Sequence, residues 1–229
     1  MIKDPPILTI KRAWNRPDPK LVAQLKGAQT GHVIDAMEGR GAMDYQIKAL
    51  DMANASFVGV AITAESFAND NLAIVAALSF VQPGDVIIAA ADGFSRTAVV
   101  GDNVCMMAKN AGAVAIVIDG MARDIEGIIP VGLPVHARGI TPNSCVKTGP
   151  GKVGLPVVAG GVAVESGDVV LGDKDGVVVI PQSALKAVVT ALVEIRRIEE
   201  ITQVLIREGQ KSLQSVADLL QTDRVTFVD

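Results

Sequence analysis

The sequence has few aromatic residues, few cysteines and few histidines. Aromatics make up 3% of its 229 residues, and it holds two cysteines and two histidines. A core with so few aromatics must be built from Val, Ile, Leu and Ala, and this composition favours strands buried on both faces. Cys105 and Cys145 match neither a CxxC pair nor a zinc-ligand spacing, so we expect two free thiols in a reducing cytosol.

The sequence also lacks a strong excess of one charge and a long apolar run. Its 25 acidic and 21 basic residues give a net charge of −4, and no basic stripe stands out. Nucleic acid is therefore not an expected partner. The apolar runs are broken by Gly, Asp or Glu well short of the ~20 residues that a membrane span needs. The N-terminus shows no signal-peptide pattern, so we expect a cytoplasmic protein without a membrane partner.

Residues 1–19, 20–182 and 183–229 differ in composition and predict three parts of the chain. The first part holds four prolines and is expected to form an arm, lying over the protein's own surface or over a neighbouring subunit. The second combines helices and apolar strands with a later run of hairpin strands, without a regular Rossmann alternation. We therefore predict a single α/β domain with a mixed β core flanked by helices, followed by a C-terminal helical segment.

Local signals set the boundaries of several elements. Thr30 is predicted to cap one helix, and Ser183 to cap a long helix that stops at Gly209. The apolar run at 113–118 predicts a buried strand, and a polar loop is expected to follow at 119–124.

Three further features allow a plain and a functional interpretation. His32 near a helix start is either a local hydrogen-bonding residue, which we favour, or a ligand or base. Gly149 to Gly154 match G-x-G-x-x-G by letter, but they follow no predicted strand and open no helix, so we interpret them as structural glycines. A loop of about a dozen residues starts at Arg138 and is long enough to be functional or interfacial.

The stretch from Gly101 to Asp124 carries most of the chemistry. Gly101 precedes a predicted short helix, and a helix opened by a glycine turn points free N–H groups and its positive dipole end outward. Arg123 and Asp124 follow the next buried strand, where open α/β sheets place their ligands. Because a helix and a returning strand separate Asp102 from Arg123, we predict that the two ends of this stretch share one pocket.

The residue types in this predicted pocket suit an anionic ligand and a hard metal ion. Asp124 offers carboxylate oxygens to Mg²⁺ or Mn²⁺, and Arg123 offers a bidentate fork to a carboxylate. Asp102 is placed to act in acid/base steps through a bound water. The plain alternative is that Asp102 is a helix cap and that Arg123 and Asp124 form a surface ion pair.

Asp102, followed after 20 residues by Arg123-Asp124, resembles the signature of the RraA-like aldolase family, which includes the 4-hydroxy-4-methyl-2-oxoglutarate and 4-carboxy-4-hydroxy-2-oxoadipate (HMG-CHA) aldolases. The resemblance extends over nearly the whole chain through ordered motifs: His32-Val-Ile-Asp-Ala-Met37, Arg40-Gly-Ala-Met43, Asp70-Asn-Leu72, Pro83-Gly-Asp-Val86, Asp119-Gly120, Pro134-Val-His-Ala-Arg-Gly139, Ser166-Gly-Asp-Val169 and Asp175-Gly-Val-Val178.

The resemblance implies a role for each residue of the predicted pocket. Asp124 would bind a divalent metal, Mg²⁺ or Mn²⁺, and Arg123 would bind the pyruvyl carboxylate and stabilise the enolate. The backbone amides of the turn formed by Gly101, Asp102, Asn103 and Val104 would hold the substrate. Asp102 would position the water that takes the C4 hydroxyl proton. A glutamate from a neighbouring subunit would complete the metal site, and of Glu199 and Glu200 we favour Glu199.

The same resemblance implies a fold, an assembly and an activity. The core would be similar to the swivelling phosphohistidine domain, with β/β/α layers, and the protein would be a homotrimer or a hexamer. The activity would be that of a class II pyruvate aldolase, which cleaves 4-hydroxy-2-oxo diacids to release pyruvate and decarboxylates oxaloacetate as a side activity. The alternative is a non-catalytic regulator that binds ribonuclease E. The presence of Asp102, Arg123 and Asp124 together favours the enzyme.

Overall fold

The computed structural model describes residues 6–228, and these residues form twelve strands and seven α-helices. The strands are β1 (Leu8–Ile10), β2 (Lys48–Ala49), β3 (Phe57–Ser66), β4 (Asp85–Ala90), β5 (Ala98–Val100), β6 (Ala115–Ala122), β7 (Val135–Ile140), β8 (Gly151–Val153), β9 (Val157–Ala159), β10 (Val162–Val164), β11 (Val169–Gly172) and β12 (Val177–Ile180). The helices are α1 (Pro19–Gln24), α2 (Thr30–Ala36), α3 (Leu72–Ala77), α4 (Asp102–Ala111), α5 (Ile125–Val131), α6 (Leu185–Arg207) and α7 (Gln214–Leu219).

The main sheet is built around four parallel strands in the order β3, β4, β6 and β7. Antiparallel strands extend it, because β8 and β11 pair with β3 and β2 pairs with β7. All six residues of β4 are buried, as are nearly all residues of β6. Strands this apolar on both faces are typical of a parallel sheet that is covered on both sides.

The two faces of the sheet pack against different layers. On one face, Ile87 and Ile116 belong to the same buried cluster as residues of α3, α4 and α5. On the other face, Val86 and Val117 pack with residues of the β9–β10 hairpin and of β11 and β12. Adjacent residues of one strand thus serve opposite layers, which follows from the alternation of side chains along a strand.

A third buried cluster joins β11 and β12 to α1, α2 and α6, with Leu171, Ile180 and Leu185 fully buried within it. The described residues therefore form one mixed α/β domain with a central mixed sheet and flanking helices. This confirms the predicted fold class.

The described part of the N-terminal arm, from residue 6 onward, lies on its own protomer. Strand β1 pairs in parallel with β8, so the arm adds an edge strand to the main sheet. Farther along the arm, Nη2 of Arg16 lies 2.5 Å from Oδ1 of Asp85, whose side chain is fully buried. Residues 1–5 of the predicted arm, and Asp229 at the other end, lie outside the described residues.

Two predicted helix caps are wrong. The backbone N–H and the hydroxyl of Thr30 each donate to the carboxylate of Asp173 at 2.8 Å, so the cap at this helix comes from the β11–β12 turn. Helix α6 begins at Leu185 after Ala184, and no side chain caps it, so Ser183 does not have the predicted role.

The loops predicted after β6 and after β7 are also longer than the loops in the structure. Strand β6 continues through Asp119 to Ala122, because Nε of Arg138 lies 2.5 Å from Oδ1 of Asp119 and the amide of Gly160 donates to Oδ2 at 2.8 Å. A carboxylate with these partners is tolerated inside a strand. Strand β7 likewise runs through Arg138 to Ile140, which shortens the loop predicted to start at Arg138.

Helix α6 is packed only along its first half. Its buried residues end at Leu192, and apolar side chains beyond this point, including Ile198, Ile201 and Leu205, are exposed. The packing of this C-terminal segment on a neighbouring subunit stays a prediction. Between residues 6 and 228, no helix is both long enough and apolar enough for a membrane span.

His136 is a fully buried histidine in β7. Its Nε2 lies 3.0 Å from the carbonyl oxygen of Asp173, and its ring meets Phe57 edge to face with centroids 5.3 Å apart. Its Nδ1 is buried with no hydrogen-bond partner among the described residues. Burial lowers the pKa of His136 from its ordinary value, so the folded protein favours the neutral ring.

We expect His136 to make the folded state sensitive to mild acid. Above a pH of about 6.5 the ring is neutral in both the folded and the unfolded state, whereas below this pH the unfolded state binds a proton that the folded state disfavours. The free energy of unfolding should therefore fall between pH 7.5 and 5.5, and His136→Phe should flatten this dependence. Urea unfolding at both pH values measures it. If His32→Asn, which removes the other histidine, flattens the pH dependence instead, the assignment of this dependence to His136 is wrong.

Candidate functional site

The parallel pairing of β5 with β6 brings two distant parts of the chain together. Val100 at the end of β5 is paired with Ala122 at the end of β6, and the amide of Arg123 donates to the carbonyl oxygen of Val100 at 3.0 Å. Because both strands end at the same edge, Gly101 lies beside Arg123 and Asp124. Helix α4 starts directly after Gly101, and helix α5 starts directly after Asp124.

Gly101 is in close contact with the charged pair. A Cβ atom at this position would lie 2.6 Å from Oδ2 of Asp124 and 3.4 Å from Cγ of Arg123. The first distance is shorter than Cβ contacts in real proteins, so a side chain at 101 would push the Asp124 carboxylate out of this position. Glycine at 101 is therefore what lets the start of α4 approach the charged pair.

Asp102 is held between α4 and α5. Its Oδ1 accepts a hydrogen bond from the amide of Asn103 at 2.7 Å. A Cβ atom at Gly127 in α5 would lie 2.6 Å from Oδ2 of Asp102, so the carboxylate packs directly on the backbone of that helix. The position agrees with a first-turn acidic residue, whose charge is favoured by the helix dipole.

Asp124 adopts a left-handed backbone conformation, with φ 59° and ψ 44°, at the position before α5. Among residues other than glycine, Asp and Asn adopt this conformation most readily, at a cost of about 1 kcal/mol, and here it turns the chain from β6 into α5. Its Oδ2 lies 3.1 Å from Nε of Arg123, and the two side chains are 44% and 39% exposed. Nη1 of Arg123 also donates to the hydroxyl of Ser144. The guanidinium is thus fixed on two sides, and its Nη2 has no hydrogen-bond partner among the described residues.

These residues line a cavity of about 220 Å³. All six residues predicted for the pocket lie on its wall, namely Gly101, Asp102, Asn103, Val104, Arg123 and Asp124. A more open cavity of about 330 Å³ adjoins it, and Arg123 and Asp124 belong to both. The roles predicted for the six residues are considered under the proposed function.

Sequence reasoning missed Asn71, Ser144 and Lys147, which also line the smaller cavity. Asn71 is 5% exposed; its Nδ2 donates to the carbonyl oxygen of Val99 at 2.8 Å, and its Oδ1 has no partner among the described residues. The sequence did contain a signal, because Asp70 and Asn71 are adjacent residues of capping type before α3, and a helix start needs only one such side chain. In the structure Asp70 accepts from the amide of Leu72 and the side chain of Asn71 makes no capping bond, so Asn71 is free for another role.

Glu199 and Glu200 are not on the wall of this cavity. Glu199 lies in α6 and accepts a hydrogen bond from the side chain of Gln203 at 2.9 Å. Within its own protomer, α6 contacts mainly α1 and α2, which are not part of the site. A role for Glu199 at the metal therefore requires a neighbouring subunit, as the family resemblance implies, and it stays a prediction.

The cavity offers ligands to a hard divalent cation rather than to zinc. Among residues 6–228, no cluster of three or more His, Cys, Asp and Glu side chains is placed to hold a metal. Two carboxylates, those of Asp102 and Asp124, nevertheless line the same small cavity. Mg²⁺ and Mn²⁺ bind through one or two carboxylates and keep several waters, so the residues present fit such an ion.

The two cysteines near the site do not suit thiolate chemistry. Burial, followed by the charge of Asp102, raises the pKa of Cys105 to about 12. Burial also raises the pKa of Cys145, which lines the cavity. A thiol with a raised pKa is a poor nucleophile at neutral pH, so neither cysteine is a candidate for the reacting group.

The fold and the sequence place this chain in a known family. The family described as RraA-like, Aldolase/RraA, matches residues 30–179. The chain therefore belongs to the RraA-like family, which confirms the resemblance carried by its motifs.

Individual relatives support the same assignment. Over 161 residues the chain is 38% identical to a protein of Halalkalibacterium halodurans with the provisional name 4-hydroxy-4-methyl-2-oxoglutarate aldolase, covering 70% of this chain and 76% of that protein. The structure of the present chain is similar to that of an uncharacterized protein from Pseudomonas syringae pv. tomato. The TM-score is 0.75 at 25% identity, and the match covers 86% of this chain and 97% of that one. The structure is also similar to Streptomyces coelicolor RraAS2, described as an unusual member of the RNase ES inhibitor RraA protein family, with a TM-score of 0.73, 29% identity, and coverage of 82% and 99%.

We expect that Asp124 is not needed for stability. In Asp124→Gly the loss of a half-exposed ion pair, worth up to about 1 kcal/mol, is offset by relief of a left-handed conformation that costs about 1 kcal/mol. The free energy of unfolding in urea should therefore change by less than about 1 kcal/mol. A fall of more than about 2 kcal/mol would assign Asp124 a structural role and weaken the case for a site here.

Proposed function

We propose that this protein is a divalent-metal-dependent class II pyruvate aldolase. In this proposal it cleaves 4-hydroxy-2-oxo diacids, of the 4-hydroxy-4-methyl-2-oxoglutarate or 4-carboxy-4-hydroxy-2-oxoadipate type, and releases pyruvate. The observation that carries the proposal is the contact of Gly101 with Arg123 and Asp124, because it puts a helix start, a guanidinium and a carboxylate around one cavity. The name of the Halalkalibacterium halodurans relative agrees with this chemistry.

The start of α4 and Arg123 supply the binding groups for the 2-oxo acid end. Among the described residues, the amides of Asp102 and Val104 have no hydrogen-bond acceptor, and the helix dipole favours an anion at this position. The bonds from Nε to Asp124 and from Nη1 to Ser144 fix the orientation of the Arg123 guanidinium, and they leave its Nη2 available to the substrate. The substrate carboxylate is bound by Arg123 together with these amides, and the guanidinium also stabilises the charge that develops on the 2-oxo oxygen.

Asp124 is the protein ligand for the metal in this proposal, and Glu199 of a neighbouring subunit is the second carboxylate. When bound, Mg²⁺ or Mn²⁺ supplies Lewis acidity that polarises the 2-oxo group. The bond from Asp124 to Arg123 keeps that carboxylate beside the guanidinium, so both groups act on the same end of the substrate.

Asp102 moves the proton. Its carboxylate accepts the C4 hydroxyl proton through a bound water, and a carbonyl group forms at C4 as the C3–C4 bond breaks. The electron pair of that bond passes to C2 and C3 and gives the enolate of pyruvate, which Arg123 stabilises. Protonation at C3 releases pyruvate. Loss of CO₂ from oxaloacetate gives the same enolate, so oxaloacetate decarboxylation is the expected side activity.

A second candidate function is that of a regulator that binds ribonuclease E. The Streptomyces coelicolor relative is described as a member of an RNase inhibitor family. Such a role needs neither a metal ligand nor a guanidinium in a cavity. The arrangement of Arg123 and Asp124 around the cavity therefore favours the aldolase.

We expect the purified protein with Mg²⁺ to release pyruvate from 4-hydroxy-4-methyl-2-oxoglutarate and to decarboxylate oxaloacetate. Lactate dehydrogenase and NADH report pyruvate in both reactions. EDTA should abolish both activities, and added Mg²⁺ or Mn²⁺ should restore them, because the metal polarises the 2-oxo group. Turnover of neither substrate with metal present would contradict the proposal and favour the regulator.

We expect Gly101→Ala to lower kcat/KM for pyruvate release by about 100-fold, because the added Cβ displaces Asp124 and Arg123 and a shift near 1 Å has this effect. Gly31→Ala is the matched control, since a Cβ at Gly31 in α2 meets no atom within 4 Å. The control should keep full activity. Full activity in Gly101→Ala, measured in the same assay, would show that the close approach is not needed.

A further inference from the structure

One wall of the cavity is a short segment, residues 143–147, which lies in the loop that the sequence predicted to be functional or interfacial. Ser144, Cys145 and Lys147 of this segment line the cavity. The segment is tied to neighbouring elements by its backbone. The amide of Ala98 donates to the carbonyl oxygen of Asn143 at 2.9 Å, and Val146 exchanges hydrogen bonds of 2.9 and 3.1 Å with residues 69 and 71. This wall is therefore held in place at both ends.

Asp70 fixes the end of the wall that carries Lys147. Its carboxylate is 2% exposed and accepts from the amides of Leu72, Thr148 and Gly149 at 2.8, 2.5 and 2.9 Å. Burial acts to raise the pKa of Asp70, but these backbone donors outweigh it and hold the pKa below its ordinary value. A buried carboxylate thus joins the residues after Lys147 to the start of α3.

Lys147 adds a second cation to a cavity that already contains Arg123. Arg123 is paired with Asp124, whereas Lys147 forms no salt bridge with any carboxylate among the described residues. A ligand with one carboxylate would satisfy only one of these two cations. A ligand with a carboxylate at each end would satisfy both, because the long and flexible lysine side chain adapts its reach.

We propose that Lys147 binds the second carboxylate of the substrate and so selects 4-hydroxy-2-oxo diacids over the corresponding monoacids. In 4-hydroxy-4-methyl-2-oxoglutarate this is the carboxylate on the fragment that leaves when the C3–C4 bond breaks. Asp70 is a positioning residue that acts through the backbone beside Lys147. The inference rests on the proposed function and adds to it the group that recognises the far end of the substrate.

The test compares a diacid with a monoacid. We expect Lys147→Met to lower the ratio of kcat/KM for 4-hydroxy-4-methyl-2-oxoglutarate to that for 4-hydroxy-2-oxopentanoate by roughly 10- to 100-fold, the usual effect of one hydrogen bond to a charged group. The loss should appear mainly in KM for the diacid, and Lys147→Arg should keep most of the ratio. Lys174→Met, in the exposed turn between β11 and β12, is the matched control and should keep the wild-type ratio. An unchanged ratio in Lys147→Met would overturn the proposal.

A binding measurement separates failure of this inference from failure of the proposed function. The dissociation constants of 2-oxoglutarate and 2-oxopentanoate, which differ only in the terminal carboxylate, are measured by calorimetry with Mg²⁺ and need no turnover. If the wild type turns over neither substrate, the proposed function fails, but a preference for 2-oxoglutarate that Lys147→Met loses would still support the role of Lys147. Equal binding of both acids by the wild type would overturn it.

A double-variant comparison tests the positioning role of Asp70. Asp70→Asn should lower the diacid-to-monoacid ratio in the same direction as Lys147→Met. The double variant Asp70→Asn/Lys147→Met should show no further loss in this ratio, because both changes remove one interaction. Additive losses in the ratio would show that Asp70 is only structural, and thermal unfolding of each variant checks that the fold is kept.

Discussion

The parallel pairing of β5 with β6 is the contact on which the site depends. It places the ends of two strands side by side, although a whole helix separates them in the sequence. The absence of a side chain at Gly101 then allows α4 to start within contact distance of Arg123 and Asp124. The free amides come from the start of α4, and the guanidinium and the carboxylate come from the adjacent residues Arg123 and Asp124, so the sheet fixes two short stretches relative to one another. Sites built on strands and helices in this way hold their geometry more precisely than sites built on loops.

A left-handed backbone and two buried carboxylates lie near this edge of the sheet, and the apolar core behind them offsets their cost. Asp124 has a left-handed backbone, and Asp70 and Asp119 are carboxylates that are almost fully removed from water. Each buried carboxylate is matched by backbone amides or by an arginine, which is the condition under which such groups are accepted in a protein interior. The strands behind them are buried on both faces, so the edge can carry polar groups without loss of the core.

Sequence patterns predicted the features that depend on neighbouring residues. The apolar run of β6, the glycine before α4 and the family motifs all have local signals, and the class of fold followed from signals of this kind. The errors occurred where the deciding partner is far away in the chain. Asp119 was predicted to end its strand, because nothing nearby in the sequence shows that Arg138 of another strand pairs with it. Thr30 was predicted to cap its helix, because its actual partner, Asp173, is 143 residues away. Lys147 was missed for the same reason, since only Asp70 and the start of α3 show that its segment forms a wall.

The arrangement of the arm has a consequence for synthesis on the ribosome. Strand β1 leaves the exit tunnel well before its partner β8 and before the carboxylate that pairs with Arg16, because both lie later in the chain. The nascent arm has no partner until these segments emerge, and contacts between such distant residues form slowly. Strand β1 therefore cannot join the sheet until β8 has been made, long after its own synthesis.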